Sequence, residues 1–237
     1  MTTFQSFYIT WHDQLRQLVC QLSQAPKPPT AAADGDQIHQ LVQKTTSHYA
    51  DYYRAKAAAA KHDVLIFFSA PWTTPLERSL HWIGGWRPTT AFHLIYTESS
   101  ILFESHVVDI LRGFHTGDLG DLSPAQFRRV SELQCETDDA IDLVGVYGDV
   151  DRRLERLAGI LEKADELRLR TINNVVELLT PQQAAEFLVA AAELHFGIRG
   201  WGIEQDRQHT KSKYQSSESR PDQLDRELVH KSEHVEH

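Results

Sequence analysis

With 237 residues, of which 41% are hydrophobic, the chain can bury a sizeable core as one large or two small domains. Its net charge of −9 argues against direct DNA binding, because non-specific nucleic-acid affinity comes from clustered Lys and Arg. Two cysteines far apart in sequence, Cys20 and Cys135, favour a reduced intracellular protein. The strongest apolar run, residues 64–68, is too short to span a bilayer, and we expect the nucleus or the cytoplasm.

The N-terminal third of the chain shows helical periodicity. Apolar residues recur every three or four positions over residues 4–22 and predict an amphipathic helix. A Pro-rich connection at residues 25–30 ends it, and a second helix is predicted from about residue 37 to residue 68.

The most constrained stretch, residues 69–89, holds three of the five tryptophans. Thr74 can cap a helix that has Pro75 at its first position and Glu77 at its third, which predicts a capping box. The Gly84-Gly85 pair would end that helix, and Pro88 would prevent its continuation. Trp86 and Arg87 would then lie on a short elbow between two helices.

The same start signal recurs at Ser123 and at Thr180, each followed by Pro and then by Gln at the third helical position. We predict a helix over residues 89–112, a loop at 113–121 and a last helix at 181–202. A single helix over residues 123–179 would be about 80 Å long, too long for a compact domain, so we expect a break near residues 145–148 or a projecting helical pair.

No run of alternating β-branched residues bounded by turns is present, so the predicted fold class is an all-α multi-helix bundle with one long or broken central stretch. The predicted domain covers residues 1–203. The polar tail at 204–237 is expected to be disordered, with fraying helix at most.

No nucleophile elbow, phosphate loop, dinucleotide fingerprint or His-Glu-x-x-His pattern occurs, so we expect neither catalysis nor a metal site. The tryptophans have two interpretations: core anchors, or a partner surface in which Trp72, Trp86 and Arg87 stay partly exposed. His195, in an apolar segment, is either a hydrogen-bonded core histidine or an imidazole that contacts a flat hydrophobic ligand.

Several ordered motifs resemble the plant Delay-of-Germination domain, which seed-dormancy regulators share with the C-terminal half of TGA-type bZIP transcription factors. The similarity covers about residues 4–202. The motifs that carry it lie at residues 69–78, 82–89, 122–126, 167–171 and 179–183, followed by Leu194-His195 and Trp201-Gly202. No basic region or leucine zipper precedes the domain here, so the chain is most similar to the zipper-less dormancy branch.

The resemblance implies a non-enzymatic regulator of dormancy, abscisic-acid response or seed-gene expression. In that branch an N-terminal segment similar to residues 6–11 binds type 2C protein phosphatases, so Tyr8, Ile9 and Trp11 are expected to present an apolar helix face to a partner. The two acidic residues of that segment are absent here. A second hypothesis is an accessory domain that bZIP partners recruit to DNA; self-association is left open.

The third hypothesis is a small-molecule sensor with an apolar pocket for haem or an acyl chain beside the elbow or His195. The dormancy regulators' haem association is attributed to a His-x-x-x-His pair in the last helix. His195 matches the first histidine, but Arg199 replaces the second. We therefore expect no cofactor, and His195 is the one haem candidate that the resemblance leaves.

Overall fold

A computed structural model describes residues 3–26, 29, 31–112, 114–145 and 153–218. The described part is helical and confirms the predicted all-α class. Its helices are α1 Thr3–Gln24, α2 Ala32–Ala60, α3 Leu65–Ser69, α4 Pro75–Ser79, α5 Thr90–Leu111, α6 Pro124–Gly145, α7 Arg153–Leu178 and α8 Pro181–Glu218, with a 3-10 turn at Leu119–Asp121 between α5 and α6. Within these residues, none of the helices combines the length and the apolar character needed to cross a membrane.

All three predicted start signals form helix caps. Before α4, the Thr74 hydroxyl accepts from the Glu77 amide, while the Glu77 carboxylate accepts from the Thr74 amide at 2.7 Å. Gln126 bonds back to Ser123 in the same way at the start of α6, and Gln183 bonds back to Thr180 at the start of α8. Each cap joins residues only three positions apart, so local sequence signals place these three helix starts.

The predicted second helix, 37–68, is wrong at both ends. It begins five residues earlier, at Ala32, and it ends at Ala60. The Asp63 carboxylate accepts from the amides of Leu65 and Ile66 at 3.1 and 3.3 Å. This local capping competes with a continuous helix and starts the separate helix α3.

The helix predicted to end at Gly84-Gly85 is shorter than expected, because α4 stops at Ser79. The expected break at 145–148 begins where α6 ends at Gly145, and its remaining residues lie outside the described ones. Helices α6 and α7 pack against each other.

Helix α8 extends well beyond the predicted end at residue 202 and reaches Glu218. Neither Gly nor Pro occurs after Gly202 in this segment, and Glu204 pairs with Arg207 and Gln208 one turn later. Such pairs support a solvated helix. Helix α8 thus covers residues 204–218 of the predicted tail, whose disorder stays a prediction, and the rest of the tail lies outside the described residues.

Two clusters of buried side chains form the core. The first joins α2, α5, α6, α7 and the start of α8 around Ile38, Phe92, Ile95, Val175 and Leu188. The second joins α1, the end of α2, α3 and α8 around aromatic residues, namely Phe4, Tyr8, Trp11, Phe67 and Trp72. The segment between α4 and α5 lies where α2 and α7 pack against each other, and it holds the candidate site.

Candidate interaction surface at the tryptophan elbow

The elbow, residues 80–89, reverses the chain between α4 and α5 in a tight turn. The Trp82 amide donates to the Gly85 carbonyl at 2.7 Å, and the Gly85 amide donates back at 3.3 Å. Ile83 and Gly84 between them have φ of 45° and 65°. Gly84 adopts such values without strain, whereas a β-branched residue like Ile83 does so at a cost that surrounding contacts must offset.

A buried guanidinium supplies those contacts. Arg168 of α7 is fully buried and donates to the backbone carbonyls of Trp82, Ile83 and Trp86, the last two at 2.9 and 2.7 Å. A Cβ atom added to Gly85 would lie 3.0 Å from the Arg168 Cζ, so the glycine lets the guanidinium approach the turn. One side chain thus binds the elbow both before the Gly84-Gly85 pair, at Trp82 and Ile83, and after it, at Trp86.

Arg168 belongs to a buried ionic cluster with Asp165 and Lys56. The Lys56 ammonium of α2 donates to one Asp165 carboxylate oxygen and to the Gly84 carbonyl, both at 2.9 Å, and Arg168 donates to the same carboxylate oxygen. Burial lowers the pKa of Lys56 to about 8, while the Asp165 carboxylate acts in the opposite direction. The cluster, with two cations and one carboxylate, ties α2, α7 and the elbow together. Removing Asp165 would leave two buried cations without a carboxylate.

The elbow is also fixed from α2 by the Trp86 indole, which donates to the Tyr53 hydroxyl at 2.9 Å. Trp82 and Trp86 remain partly exposed, Arg87 is exposed, and Leu80 is 55% exposed. Among the described residues Arg87 forms no ion pair. The elbow therefore offers apolar and aromatic surface with one free cation on a rigid backbone.

The other residues that the sequence analysis expected at a partner surface lie mostly inside the fold. Tyr8, Trp11 and Trp72 are at most 8% exposed and pack in the aromatic core cluster, where the Trp11 indole donates to the His48 carbonyl. Ile9 alone of the α1 group is exposed, at 41%. In this conformation Tyr8, Trp11 and Trp72 act as core anchors, so their predicted part in partner binding stays a prediction.

His195 lies in the seam between α1 and α8. Its Nε2 is 3.5 Å from the Tyr8 hydroxyl, and its ring centroid is 5.5 Å from that of His12. Burial, then the neighbouring His12, lower the pKa of His195 to about 4, so the ring is neutral at pH 7. The His12 Nε2 is buried without a hydrogen-bond partner among the described residues.

The residues at this seam do not fit haem ligation by a pair spaced as His-x-x-x-His. Arg199, at the second position, donates to the Trp72 carbonyl at 3.1 Å and pairs with the Glu77 carboxylate at 3.3 Å. Its guanidinium also lies 5.5 Å from the centre of the Tyr8 ring. Arg199 thus binds α8 to the segment around the start of α4. Within the described residues, no group of three or more His, Cys, Asp or Glu is placed to hold a metal.

The sequence analysis missed the cluster of Lys56, Asp165 and Arg168. A signal was nevertheless present, because Asp165 and Arg168 occupy helical positions continuous with the apolar stripe of Leu161 and Ala164. Charged residues are almost never fully buried unless they are paired. A charge on the buried stripe of a helix therefore indicates a buried partner, although it does not identify which one.

Comparisons with known proteins agree with the resemblance carried by the motifs around the elbow. A family model described as "Seed dormancy control" matches residues 14–97, a range that includes the elbow. Protein DOG1-like 4 of Arabidopsis thaliana is 31% identical, with 84% of this chain and 91% of that protein aligned. Protein ZW2 of the same plant is also 31% identical, with 85% of this chain and 96% of that protein aligned.

A weaker similarity extends to transcription factors. Arabidopsis thaliana transcription factor TGA1 is 26% identical over 84% of this chain but only 55% of its own length. Tobacco TGA-2.1, a TGACG-sequence-specific DNA-binding protein, shows the same pattern, at 26% identity over 45% of its length. The similar region is therefore a domain that the longer DNA-binding proteins also contain, and the chain itself belongs to the DOG1-like family of plant seed-dormancy proteins.

Proposed function

We propose that this protein is a non-enzymatic regulator in the control of seed dormancy that acts by binding other proteins through the elbow. The observation that carries the proposal is the combination of an exposed Arg87 and partly exposed Trp82 and Trp86 on a turn that Arg168 and Lys56 hold from inside. Trp and Arg are enriched among residues that dominate binding energies. A rigid turn loses little conformational entropy on binding.

The partner classes that best fit the family are type 2C protein phosphatases of the abscisic-acid pathway and, as a second candidate, bZIP transcription factors. The similarity to TGA proteins favours the second candidate. With a net charge of −9, this chain would reach DNA only through such a partner. Either role would place it in the nucleus or the cytoplasm, and neither needs a cofactor.

The test is capture of purified 2C phosphatases and, separately, TGA-type bZIP proteins by the immobilised full-length chain. Arg87→Glu should reduce capture at least tenfold, because it replaces the free cation of the elbow with an anion. Arg170→Glu makes the same charge change at an exposed position of α7 and should leave capture unchanged. Equal capture by the two variants would refute the role of the elbow.

The α1 surface needs a separate variant. Trp11→Ala would remove a core anchor, so its loss of binding would not distinguish contact from unfolding. Ile9→Asp changes an exposed side chain of the same helix. Reduced phosphatase capture by Ile9→Asp, with an unchanged melting temperature, would support a contact through α1, whereas unchanged capture would leave the elbow as the proposed surface.

The bZIP candidate has its own readout. DNA carrying a TGACG element should retain this chain only when a TGA-type protein is also present, and the ternary complex should weaken as salt rises. Retention of the chain by DNA without the bZIP protein would contradict the indirect mode of recruitment.

A further inference from the structure

A cleft of about 520 Å³ lies between α2, α7 and the start of α8, away from the elbow and from His195. Sites for small organic ligands typically range from about 300 to 1,000 Å³. The cleft is thus large enough for a compact ligand, and it is not in either place where the sequence analysis expected a pocket.

The floor of the cleft is apolar and well packed. Val42 of α2, Leu179 before α8 and Ala184 in the first turn of α8 are buried members of the first core cluster, and Val176 of α7 is partly buried beside them. Pro181 is exposed at the edge of the cleft and, with Val176, supplies the apolar surface that a ligand could cover. This part of the cleft therefore suits an aliphatic or aromatic body.

The rim is rich in hydrogen-bond acceptors. On α2 the Gln43 amide nitrogen forms a hydrogen bond with the His39 ring at 2.9 Å, and the Thr46 hydroxyl donates to the Val42 carbonyl. The side-chain oxygens of Gln43 and Thr46 therefore remain as acceptors at the cleft. On α7 Asn173 and Glu177 add an amide and a carboxylate, and neither side chain has a polar partner among the described residues. These oxygens can accept from a donating ligand, and Glu177 is the one group among them that only accepts.

Electrostatics favour a cation over an anion. Glu177 is the one carboxylate that lines the cleft, and it lies in the last turn of α7, where the helix dipole is negative. The first turn of α8 offers little to an anion, since Pro181 has no N–H and Thr180 already accepts from the amides of Gln183 and Ala184. The net charge of −9 would further attract cations.

We infer that this cleft binds a small primary amine with an apolar body, its ammonium group at Glu177 and Asn173 and its body against Val176 and Pro181. The inference is independent of the proposed partner surface, because the cleft shares no residue with the elbow.

The probe is 2-phenylethylamine, added to the ¹⁵N-labelled full-length chain while amide chemical shifts are followed. Saturable shifts are expected at residues 39–47 and 173–184. The matched probe 3-phenylpropionate keeps the ring but carries a carboxylate, and it should bind at least tenfold more weakly because Glu177 repels it.

Two variants and a control test the geometry. Glu177→Gln should weaken amine binding about fivefold, as expected for loss of one exposed charge-assisted pair. Glu166→Gln removes an exposed α7 carboxylate outside the cleft and should bind like the parent chain. Ser47→Tyr should block the cleft from its exposed rim without touching the core. Shifts scattered over the acidic surface, equal binding of the two probes, or parental affinity in Glu177→Gln would each overturn the inference.

Discussion

Two glycines in α8, Gly202 and Gly200, should respond in opposite directions to replacement by alanine. A Cβ atom on Gly202 would lie 2.2 Å from the Thr74 hydroxyl oxygen and 2.8 Å from the Thr74 Cβ. A Cβ atom on Gly200 would meet nothing within 4 Å. The pair therefore separates the helix-forming benefit of alanine from the cost of a steric clash at one contact between α8 and α4.

The magnitudes follow from these distances. Alanine in place of glycine inside a helix stabilises by about 0.5–1 kcal/mol, which is the full effect expected for Gly200→Ala. At Gly202 the same gain is opposed by an overpacking cost of about 1–3 kcal/mol. Because Thr74 caps α4 by accepting from the Glu77 amide, its displacement adds about 1 kcal/mol. We expect Gly202→Ala to be net destabilising by about 1–3 kcal/mol.

The assay is urea unfolding followed by circular dichroism and tryptophan fluorescence. A second change, Thr74→Gly, removes both clashing atoms while retaining a residue that is tolerated at a helix N-cap, and it should recover part of the stability that Gly202→Ala loses. The reasoning is refuted if Gly202→Ala is as stable as Gly200→Ala. It is also refuted if Thr74→Gly changes the free energy of unfolding equally in the parent chain and in Gly202→Ala.

Three further outcomes are expected. The pKa of His195 is about 4 in the folded state against 6.5 in the unfolded state, so its contribution to stability is complete above pH 6.5 and is lost as pH falls towards 4. The free energy of unfolding should fall by about 2–3 kcal/mol over this range, and this decrease should be smaller in His195→Gln. Arg168→Met should cost about 3–5 kcal/mol, because it leaves three elbow carbonyls without their donor and the Asp165 carboxylate with Lys56 alone. Arg170→Met, at an exposed position of the same helix, should be near neutral by the same measurement. Thr180→Ala should lower the free energy of unfolding by about 1 kcal/mol through loss of the α8 cap, and an unchanged value would show that the cap is dispensable.

Local chemistry in the sequence was sufficient for the helix starts. Thr74, Ser123 and Thr180 form their caps with residues only three positions away, so the signal and its effect lie in the same short segment. The same holds for the all-α class, which follows from helical periodicity and the lack of alternating strands. The end of α2 could also have been read locally, since Asp63 caps the amides that follow it.

The elbow shows where local reasoning stops. Gly84-Gly85 and Pro88 indicate that the chain must turn, but they do not indicate that Ile83 adopts a positive φ or that α4 stops at Ser79. The turn at Ile83 is held by Arg168, which is separated from it by more than eighty residues and donates to three of its carbonyls. Pairing over such a distance has no period or spacing in the sequence from which it can be predicted.

Burial divides the candidate residues in the same way. The sequence alone determined that residues 4–22 form an amphipathic helix and that the tryptophan-rich stretch contains a turn, because periodicity and turn chemistry act within a few residues. Only the tertiary structure decided that Tyr8, Trp11 and Trp72 face the core while Ile9 and Arg87 remain exposed. An aromatic side chain has the same chemistry in a core as at an interface, so its role depends on which other helices cover it.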